Sequence, residues 1–128
     1  MHIVITGAGG YIGHALSSWL STQSHFAGRP ITRLSRTDLT LPPLAQTPAF
    51  LHDIEGDLCQ AALREQLLSE PADYVFHLAG ITSKRAEEDL ALSLAVNLQA
   101  SVALFEDLRQ QSTKATVVFT SSIGVFGT

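Results

Sequence analysis

Short apolar runs alternate along the chain with segments in which apolar residues recur at helical spacing. The runs at residues 3–5, 31–37, 49–54, 73–78 and 116–120 predict five strands. Helical spacing predicts a helix over Tyr11–Ser21, a short helix carrying Leu63 and Leu67, and a long helix lined by Leu90, Leu94, Asn97, Ser101, Phe105 and Leu108. Alternating strands and helices predict a parallel sheet with helices on both faces and strand order 3-2-1-4-5.

The second predicted strand is the least typical of the five. Its Arg33, Ser35 and Arg36 are unfavourable in a strand covered on both faces, because such strands are usually continuous apolar runs. The flanking segments are polar: residues 21–30 form a connector, and the prolines within residues 39–48 make a loop. Sheets of this kind bind ligands at the carboxyl ends of their strands, so the functional residues are expected at that edge.

The segment TGAGGYIG, residues 6–13, joins the first strand to the first helix, and Gly7, Gly10 and Gly13 recur in it at every third position. Glycines allow a tight turn and the close approach of a pyrophosphate, and the unpaired N–H groups at a helix start bind phosphate. The alternative is a tight turn in an unrelated α/β protein. We interpret the segment as a dinucleotide-binding turn, with the backbone of Tyr11 and Ile12 beside the phosphates.

Composition and charge exclude several classes of partner and of protein. The 128 residues are enough for about one domain, and a hydrophobic content of 45% fits a globular protein. A net charge of −4 argues against a nucleic acid or an anionic membrane as partner. Cys59 is the single cysteine, which excludes a disulfide framework within the chain. No apolar run approaches the roughly 20 residues that span a bilayer, and no signal peptide is recognised, so we expect a cytoplasmic protein.

Five segments together resemble the extended short-chain dehydrogenases/reductases, also described as the NAD-dependent epimerase/dehydratase family. They are residues 6–13, Gly56-Asp57-Leu58, His77-Leu78-Ala79-Gly80, Asn97 in the long helix, and TSSIGVFG at residues 120–127. The family has T-G-x-x-G-x-x-G, G-D-[LI], H-L-A-A, an asparagine and S-S-x-x-V-Y-G in this order. The resemblance therefore covers the whole chain.

The resemblance implies a Rossmann-type fold, with residues 1–128 as one dinucleotide-binding domain. With the glycine turn, it implies that the cofactor is bound by Gly7, Gly10, Tyr11, Ile12, Gly13, Asp38, Asp57, Leu58, Leu78, Ala79, Gly80 and Asn97. It places Asp57 against the adenine, although Asp57 could also cap the next helix. Asn97 is expected to tie neighbouring strand ends together through hydrogen bonds of a buried amide. His77 is interpreted as a hydrogen-bonded strand-end histidine and not as a catalyst.

An acidic side chain after the second strand favours NAD over NADP, because it hydrogen-bonds the ribose 2′-hydroxyl and repels a 2′-phosphate. Asp38 is the candidate, since it ends the strand-like run and precedes a loop. A competing register places Ser35 and Arg36 at this point, and Arg36 would attract the phosphate. We predict NAD as the cofactor, with NADP as the alternative.

Ser122 follows the fifth strand, where the family has its catalytic serine; the alternative is a hydroxyl bonded to its own turn. The family's chemistry also uses a Y-x-x-x-K helix, in which a tyrosine transfers the proton and a lysine lowers the pKa of that tyrosine. The two tyrosines of this chain, Tyr11 and Tyr74, have Ala15 and Leu78 four residues further on.

We therefore expect the cofactor-binding part of a longer oxidoreductase or epimerase, truncated after the fifth strand. The full-length relatives would act on a sugar, a sugar acid or a nucleotide sugar, whereas the isolated chain would bind cofactor without turnover. Its uncovered sheet edge would promote self-association. Gly28-Arg29-Pro30, Asp38 and Phe126 are similar to the D-erythronate-dehydrogenase-like branch of the family. A dinucleotide-sensing module and a non-functional structural remnant are the alternatives.

Overall fold

A parallel sheet of five strands forms the centre of the molecule. The computed structural model describes residues 1–127, apart from the side chains of residues 83–85 and 123. The strands are β1 (His2–Thr6), β2 (Arg33–Asp38), β3 (Leu51–Glu55), β4 (Tyr74–His77) and β5 (Thr116–Phe119). They lie in the order β3-β2-β1-β4-β5, and every neighbouring pair is parallel. The predicted fold class and strand order are confirmed.

Helices cover both faces of the sheet. They are α1 (Tyr11–Ser21), α2 (Ala61–Leu67), α3 (Ser83–Glu88), α4 (Leu90–Leu94) and α5 (Ala100–Gln110). A π-helical turn, Ala95–Gln99, joins α4 to α5, and a 3₁₀ turn, Ile123–Phe126, follows β5. The bounds predicted for the first helix match those of α1. The single long helix of the sequence analysis is interrupted by the π turn, and α3 was not predicted.

Alternation along β1 sends its side chains into two cores. Val4 packs with Val75 and with side chains of α2 and α5, such as Leu67 and Leu104. Ile5 packs on the opposite face, in the cluster that includes Leu20 of α1. Because β1 is buried on both faces, its carboxyl end is fixed from both sides, and the glycine turn begins from that rigid point.

The prediction that β2 is poorly suited to double burial is wrong. Arg36 is only 1% exposed, and Ser35 and Thr37 are equally buried. Their side-chain polar atoms have partners, as buried polar groups require, apart from Arg36 Nη1. The Arg36 guanidinium donates to both carboxylate oxygens of Asp53 at 2.6 and 2.7 Å, and Thr37 Oγ1 donates to the carbonyl of Ile54 at 2.6 Å. These cross-strand pairs let a polar strand occupy the interior.

The polar connector contains a short antiparallel hairpin, His25–Phe26 with Arg29–Pro30, which the sequence pattern did not predict. Positive φ angles at its tip, 48° at Ala27 and 74° at Gly28, make the turn. Phe26 contacts Tyr74 edge-on at 5.2 Å between ring centroids, which anchors the hairpin to the sheet.

By length and composition alone, the 21-residue stretch Leu90–Gln110 could cross a membrane, because an 18-residue window within it has a mean hydropathy of 1.2. The expectation that no segment approaches that length is therefore wrong on this criterion. The same stretch buries Ala100, Leu104 and Leu108 against the sheet. This is the usual position of an apolar helix in a parallel α/β fold.

Candidate functional site

Two glycines of the motif are required by the fold itself. Gly7 has a φ of +71°, and a Cβ there would lie 2.5 Å from the backbone nitrogen of Ala79. A Cβ on Gly13 would collide with the carbonyl oxygen of Gly7. Glycine at these positions therefore lets α1 start directly against the ends of β1 and β4.

Gly10 differs from the other two glycines of the motif. It is the N-cap residue of α1, it is exposed, and a Cβ there would meet only the Gly7 carbonyl, at 3.3 Å. No side chain caps this helix start, and Tyr11 is 93% exposed. The first N–H groups of a helix have no intrahelical partner, so the start of α1 presents free donors and the positive end of the helix dipole.

A cleft of about 290 Å³ opens beside this helix start. Most of the predicted cofactor-binding residues line it, namely Gly7, Gly10, Asp38, Asp57, Leu58, Leu78, Ala79 and Gly80. The structure does not bring Tyr11, Ile12, Gly13, Asn97 or Ser122 into its lining. The lining residues come from the carboxyl ends of β1, β2, β3 and β4, which is where open α/β sheets bind their ligands.

Asp38 ends β2 and faces the cleft. Its Oδ2 accepts from the backbone N–H of Gly9 at 2.9 Å, and its Oδ1 accepts from the N–H of Leu39 at 2.7 Å. The competing register does not occur, because Arg36 is buried at a position paired with Ile5 and holds Asp53. The structure therefore places a carboxylate, and not a guanidinium, at the end of β2.

Asp57 and Leu58 follow β3 on the far side of Asp38. The Asp57 carboxylate accepts from the backbone N–H of Cys59 at 2.9 Å, and this bond is the main reason that the pKa of Asp57 is lowered. The N-cap of α2 is Gln60, so the suggestion that Asp57 caps that helix is wrong. Asp57 instead closes a local turn and leaves a carboxylate at the wall of the cleft.

Asn97 lies in the π turn and holds the segment after β4. Its Oδ1 accepts from the N–H of Ile81 and its Nδ2 donates to the carbonyl of Ile81, both at 2.8 Å. The expected tie between neighbouring strand ends is not found among the described residues: Asn97 bonds Ile81 after β4 and Ser93 of α4, and its amide is exposed rather than buried. Asn97 thus shapes the cleft through Ile81, which lines the cleft.

A chain of hydrogen bonds passes through the buried side chain of His77. Its Nδ1 lies 2.6 Å from Thr6 Oγ1, and its Nε2 lies 2.8 Å from Ser101 Oγ. Ser101 Oγ donates to the carbonyl of Asn97 at 2.9 Å, so Ser101 must accept from Nε2–H, and Nδ1 must accept from Thr6. Burial lowers the pKa of His77, in agreement with a neutral ring. His77 is therefore a structural link between the glycine turn and the helix.

Ser122 is exposed and lies at the start of the 3₁₀ turn after β5. Its hydroxyl oxygen accepts from the backbone N–H of Gly124 at 3.1 Å, which is the local turn bond that sequence analysis named as the alternative. This bond uses one lone pair, and the hydroxyl proton has no acceptor among the hydrogen bonds of the described residues.

The apolar wall of the cleft was missed by the sequence analysis. Ile81, Leu92 and Val96 line it together with Leu39. Leu92 and Val96 are four residues apart and lie on a different face from Leu90 and Leu94, which are exposed. The π turn shifts the helical register between α4 and α5, so a single 3.6-residue period misassigned this face.

The NAD dependent epimerase/dehydratase family matches residues 3–128, so the chain belongs to this family. A D-erythronate dehydrogenase of Cupriavidus necator is 35% identical over 131 residues, which cover 99% of this chain and 40% of the relative. A D-erythronate dehydrogenase of Haemophilus influenzae is 31% identical, over 99% of this chain and 39% of the relative. The chain thus spans about 40% of the length of these curated relatives.

Solved structures share the same fold. A nucleoside-diphosphate-sugar epimerase from Agrobacterium tumefaciens superposes with a TM-score of 0.87 at 33% identity, over 98% of this chain and 38% of that one. MoeE5 in complex with UDP-glucuronic acid and NAD has a TM-score of 0.77 at 29% identity, over 99% of this chain and 38% of that one. The family is described as NAD dependent, and MoeE5, which shares this fold, holds NAD together with UDP-glucuronic acid.

Proposed function

We propose that residues 1–128 form a dinucleotide-binding domain that holds NAD in the cleft at the carboxyl edge of the sheet. The observation that carries the proposal is the juxtaposition of an uncapped helix start at Gly10 with the carboxylate of Asp38, both lining one cleft. Free N–H donors suit the pyrophosphate, and a carboxylate suits the ribose hydroxyls.

The distribution of charge in the cofactor matches the arrangement of N–H donors and carboxylates along the cleft. The pyrophosphate is anionic and would lie at the start of α1, where N–H donors and the helix dipole favour negative charge. The carboxylates of Asp38 and Asp57 line other parts of the cleft, where neutral ribose and adenine groups can donate to them. The segment from Leu78 to Gly80 would lie along the remaining part of the cofactor.

The substrate class of the longer protein is proposed from the relatives. The relatives include D-erythronate dehydrogenases, and the structure of MoeE5 holds UDP-glucuronic acid and NAD. An oxidoreductase or epimerase acting on a sugar acid or nucleotide sugar is therefore the best-supported function. Ser122 would offer its hydroxyl proton to a substrate oxygen. The 128-residue chain contains no Y-x-x-x-K sequence, so by itself it binds cofactor without turnover.

Calorimetric titration of NADH into Gly10→Val and wild type tests the phosphate site. Gly10 lines the cleft, and a Cβ there meets only the Gly7 carbonyl oxygen, at 3.3 Å, so valine should block the close approach of phosphate with little change to the fold. We expect at least a tenfold loss of affinity, equivalent to about 1.4 kcal/mol. Ala15→Val adds the same side chain to an exposed site in the same helix and should bind as wild type does. Equal affinities for Gly10→Val and wild type would contradict the proposal.

A second experiment tests the absence of turnover. The purified chain is incubated with NAD and a panel of sugar acids and nucleotide sugars, and NADH formation is followed by absorbance. We expect none, because positioned proton transfer and substrate orientation together account for several orders of magnitude in rate. Turnover that disappears in Ser122→Ala would show that another group carries the proton, and the proposal of a cofactor-binding part without catalysis would be wrong.

A further inference from the structure

Gly9 lies between two glycines of the motif but is not one of the three regularly spaced positions. It is half-buried, and its backbone N–H donates to Asp38 Oδ2 at 2.9 Å. Neither α1 nor any strand needs this bond, because Gly9 precedes the helix and follows β1. The bond instead connects the glycine turn to the end of β2.

The absence of a side chain at Gly9 is what allows this connection. A Cβ there would lie 2.5 Å from the carbonyl oxygen of Thr40 and 3.1 Å from Asp38 Oδ2. The first contact is with backbone and the second with the carboxylate itself, so alanine would force the segment from Asp38 to Thr40 away from the turn. At Gly10, by contrast, a Cβ meets neither group.

The Asp38 carboxylate is consequently held from two sides, by the N–H of Gly9 on Oδ2 and by the N–H of Leu39 on Oδ1. Two charge-assisted hydrogen bonds fix the orientation of a side chain that would otherwise rotate at the rim of the cleft. Each oxygen retains a lone pair for a ligand hydroxyl. A fixed carboxylate discriminates between a hydroxyl and a phosphate better than a mobile one, because a mobile one can turn away from the added charge.

We infer that Gly9 is a positioning residue for the Asp38 carboxylate and that, through it, Gly9 sets the preference for NAD over NADP. This inference rests on the proposed function, since it concerns the same cleft. It differs from the role of Gly10, which concerns the pyrophosphate shared by the two cofactors. The two neighbouring glycines should therefore affect different measurable quantities.

The test compares the dissociation constants of NADH and NADPH for wild type, Gly9→Ala and Gly10→Ala, after circular dichroism has verified folding. We expect the NADPH-to-NADH ratio of dissociation constants to fall by about fivefold or more in Gly9→Ala. In Gly10→Ala both constants should rise together and leave the ratio unchanged. In the Asp38→Ala background, Gly9→Ala should change the ratio no further, because the two residues act through one carboxylate.

A folded Gly9→Ala protein with the wild-type ratio would overturn the inference while leaving the proposed function intact. Wild type that binds neither cofactor would instead overturn the proposed function. If Gly9→Ala does not fold, amide hydrogen exchange in Asp38→Ala and wild type tests the hydrogen bond between Gly9 and Asp38. The Gly9 amide should exchange faster in Asp38→Ala than in wild type. Unchanged exchange at Gly9 would then overturn the inference, because it would show that the carboxylate does not hold this amide.

Discussion

β2 and β5 show opposite relations between sequence and burial. β2 has the sequence RLSRTD and lies inside the sheet, with Arg36 only 1% exposed. β5 has the sequence TVVF, yet all four residues are exposed, and Phe119 is 51% exposed. The polar strand β2 is therefore buried, and the apolar strand β5 is exposed to solvent. The difference comes from neighbours, because β2 pairs on both sides whereas β5 pairs only with β4 among the described residues.

A strand's place in the sheet decides which partners its side chains can reach. Inside the sheet, polar side chains of β2 meet partners on β1 and β3: His2 Nε2 lies 2.9 Å from Ser35 Oγ, and Asp53 accepts from Arg36. At the edge, Val117 and Val118 have no second strand to cover them. The cleft lies at the carboxyl ends of β1, β2 and β4, which have neighbours on both sides, and of the edge strand β3.

The largest expected effect comes from breaking the ion pair between the buried Arg36 of β2 and the half-exposed Asp53 of β3. Asp53→Ala leaves the Arg36 guanidinium buried without its carboxylate, and Arg36 Nη1 already has no partner. We expect a loss of about 3 kcal/mol in the free energy of unfolding, measured by urea titration. Adding Arg36→Met to Asp53→Ala should recover much of the loss, because it removes the unpaired charge.

The matched control is Glu106→Ala. Glu106 also forms a two-pronged pair with an arginine, Arg109, at 2.7 Å for both bonds, but this pair is exposed on α5. Its loss should leave the urea midpoint nearly unchanged, since exposed pairs are screened by water. A loss as large for Glu106→Ala as for Asp53→Ala would show that burial is not the cause.

The next effect compares two valines in register. Val75 of β4 is buried and pairs directly with Val117 of β5, which is 40% exposed. Val75→Ala should lower the free energy of unfolding by about 2 kcal/mol, because it removes buried methyl groups and leaves a cavity. Val117→Ala should change it by less than about 0.5 kcal/mol. Similar losses in urea titrations of the two variants would mean that β5 is covered in solution.

Sequence reasoning succeeded where one local rule decides the outcome. The glycine spacing identified the turn and the start of α1, and the alternation of elements gave the strand order. It failed where distant partners decide: the burial of Arg36 depends on Asp53, which lies 17 residues away. The partner of Asn97 in the π turn is likewise distant, since Ile81 lies 16 residues away, and the role inferred for Gly9 depends on Asp38 across the cleft.

A smaller effect is expected from the two buried histidines, of which His2 adjoins β2 and His77 stacks on Phe119 of β5 at 5.5 Å. Burial lowers the pKa of both from the ordinary 6.5. The unfolded chain therefore binds protons first as the pH falls, so the stability present above pH 6.5 is lost below it. Each histidine adds at most about 1.4 kcal/mol per pH unit.

Urea titrations between pH 7.5 and pH 5 check this expectation. We expect the free energy of unfolding to fall towards pH 5 in wild type, and to fall less steeply in His77→Gln. An unchanged slope in that variant would show that His77 is hydrated in solution, and hence that the open edge at Phe119 lets water reach it. His2→Gln tests the same pH dependence of unfolding for a histidine on β1, a strand that has neighbours on both sides.

The smallest expected change in stability sharpens the comparison at β5. Val118→Lys places a charge on an exposed position of this strand, so the free energy of unfolding should stay close to that of wild type. Its effect should appear in the association of chains instead.

An uncovered edge strand with apolar side chains is a template for pairing with another chain, and an edge lysine opposes such pairing because it would have to be desolvated. We expect wild type to self-associate with rising concentration in sedimentation velocity, and Val118→Lys to remain monomeric at the same concentrations. Wild type that stays monomeric throughout would show that exposure of β5 alone does not drive association. Association that persists unchanged in the lysine variant would assign the contact to another surface, for which the exposed Leu94 and Leu98 on the helical stretch before α5 are the next residues to change.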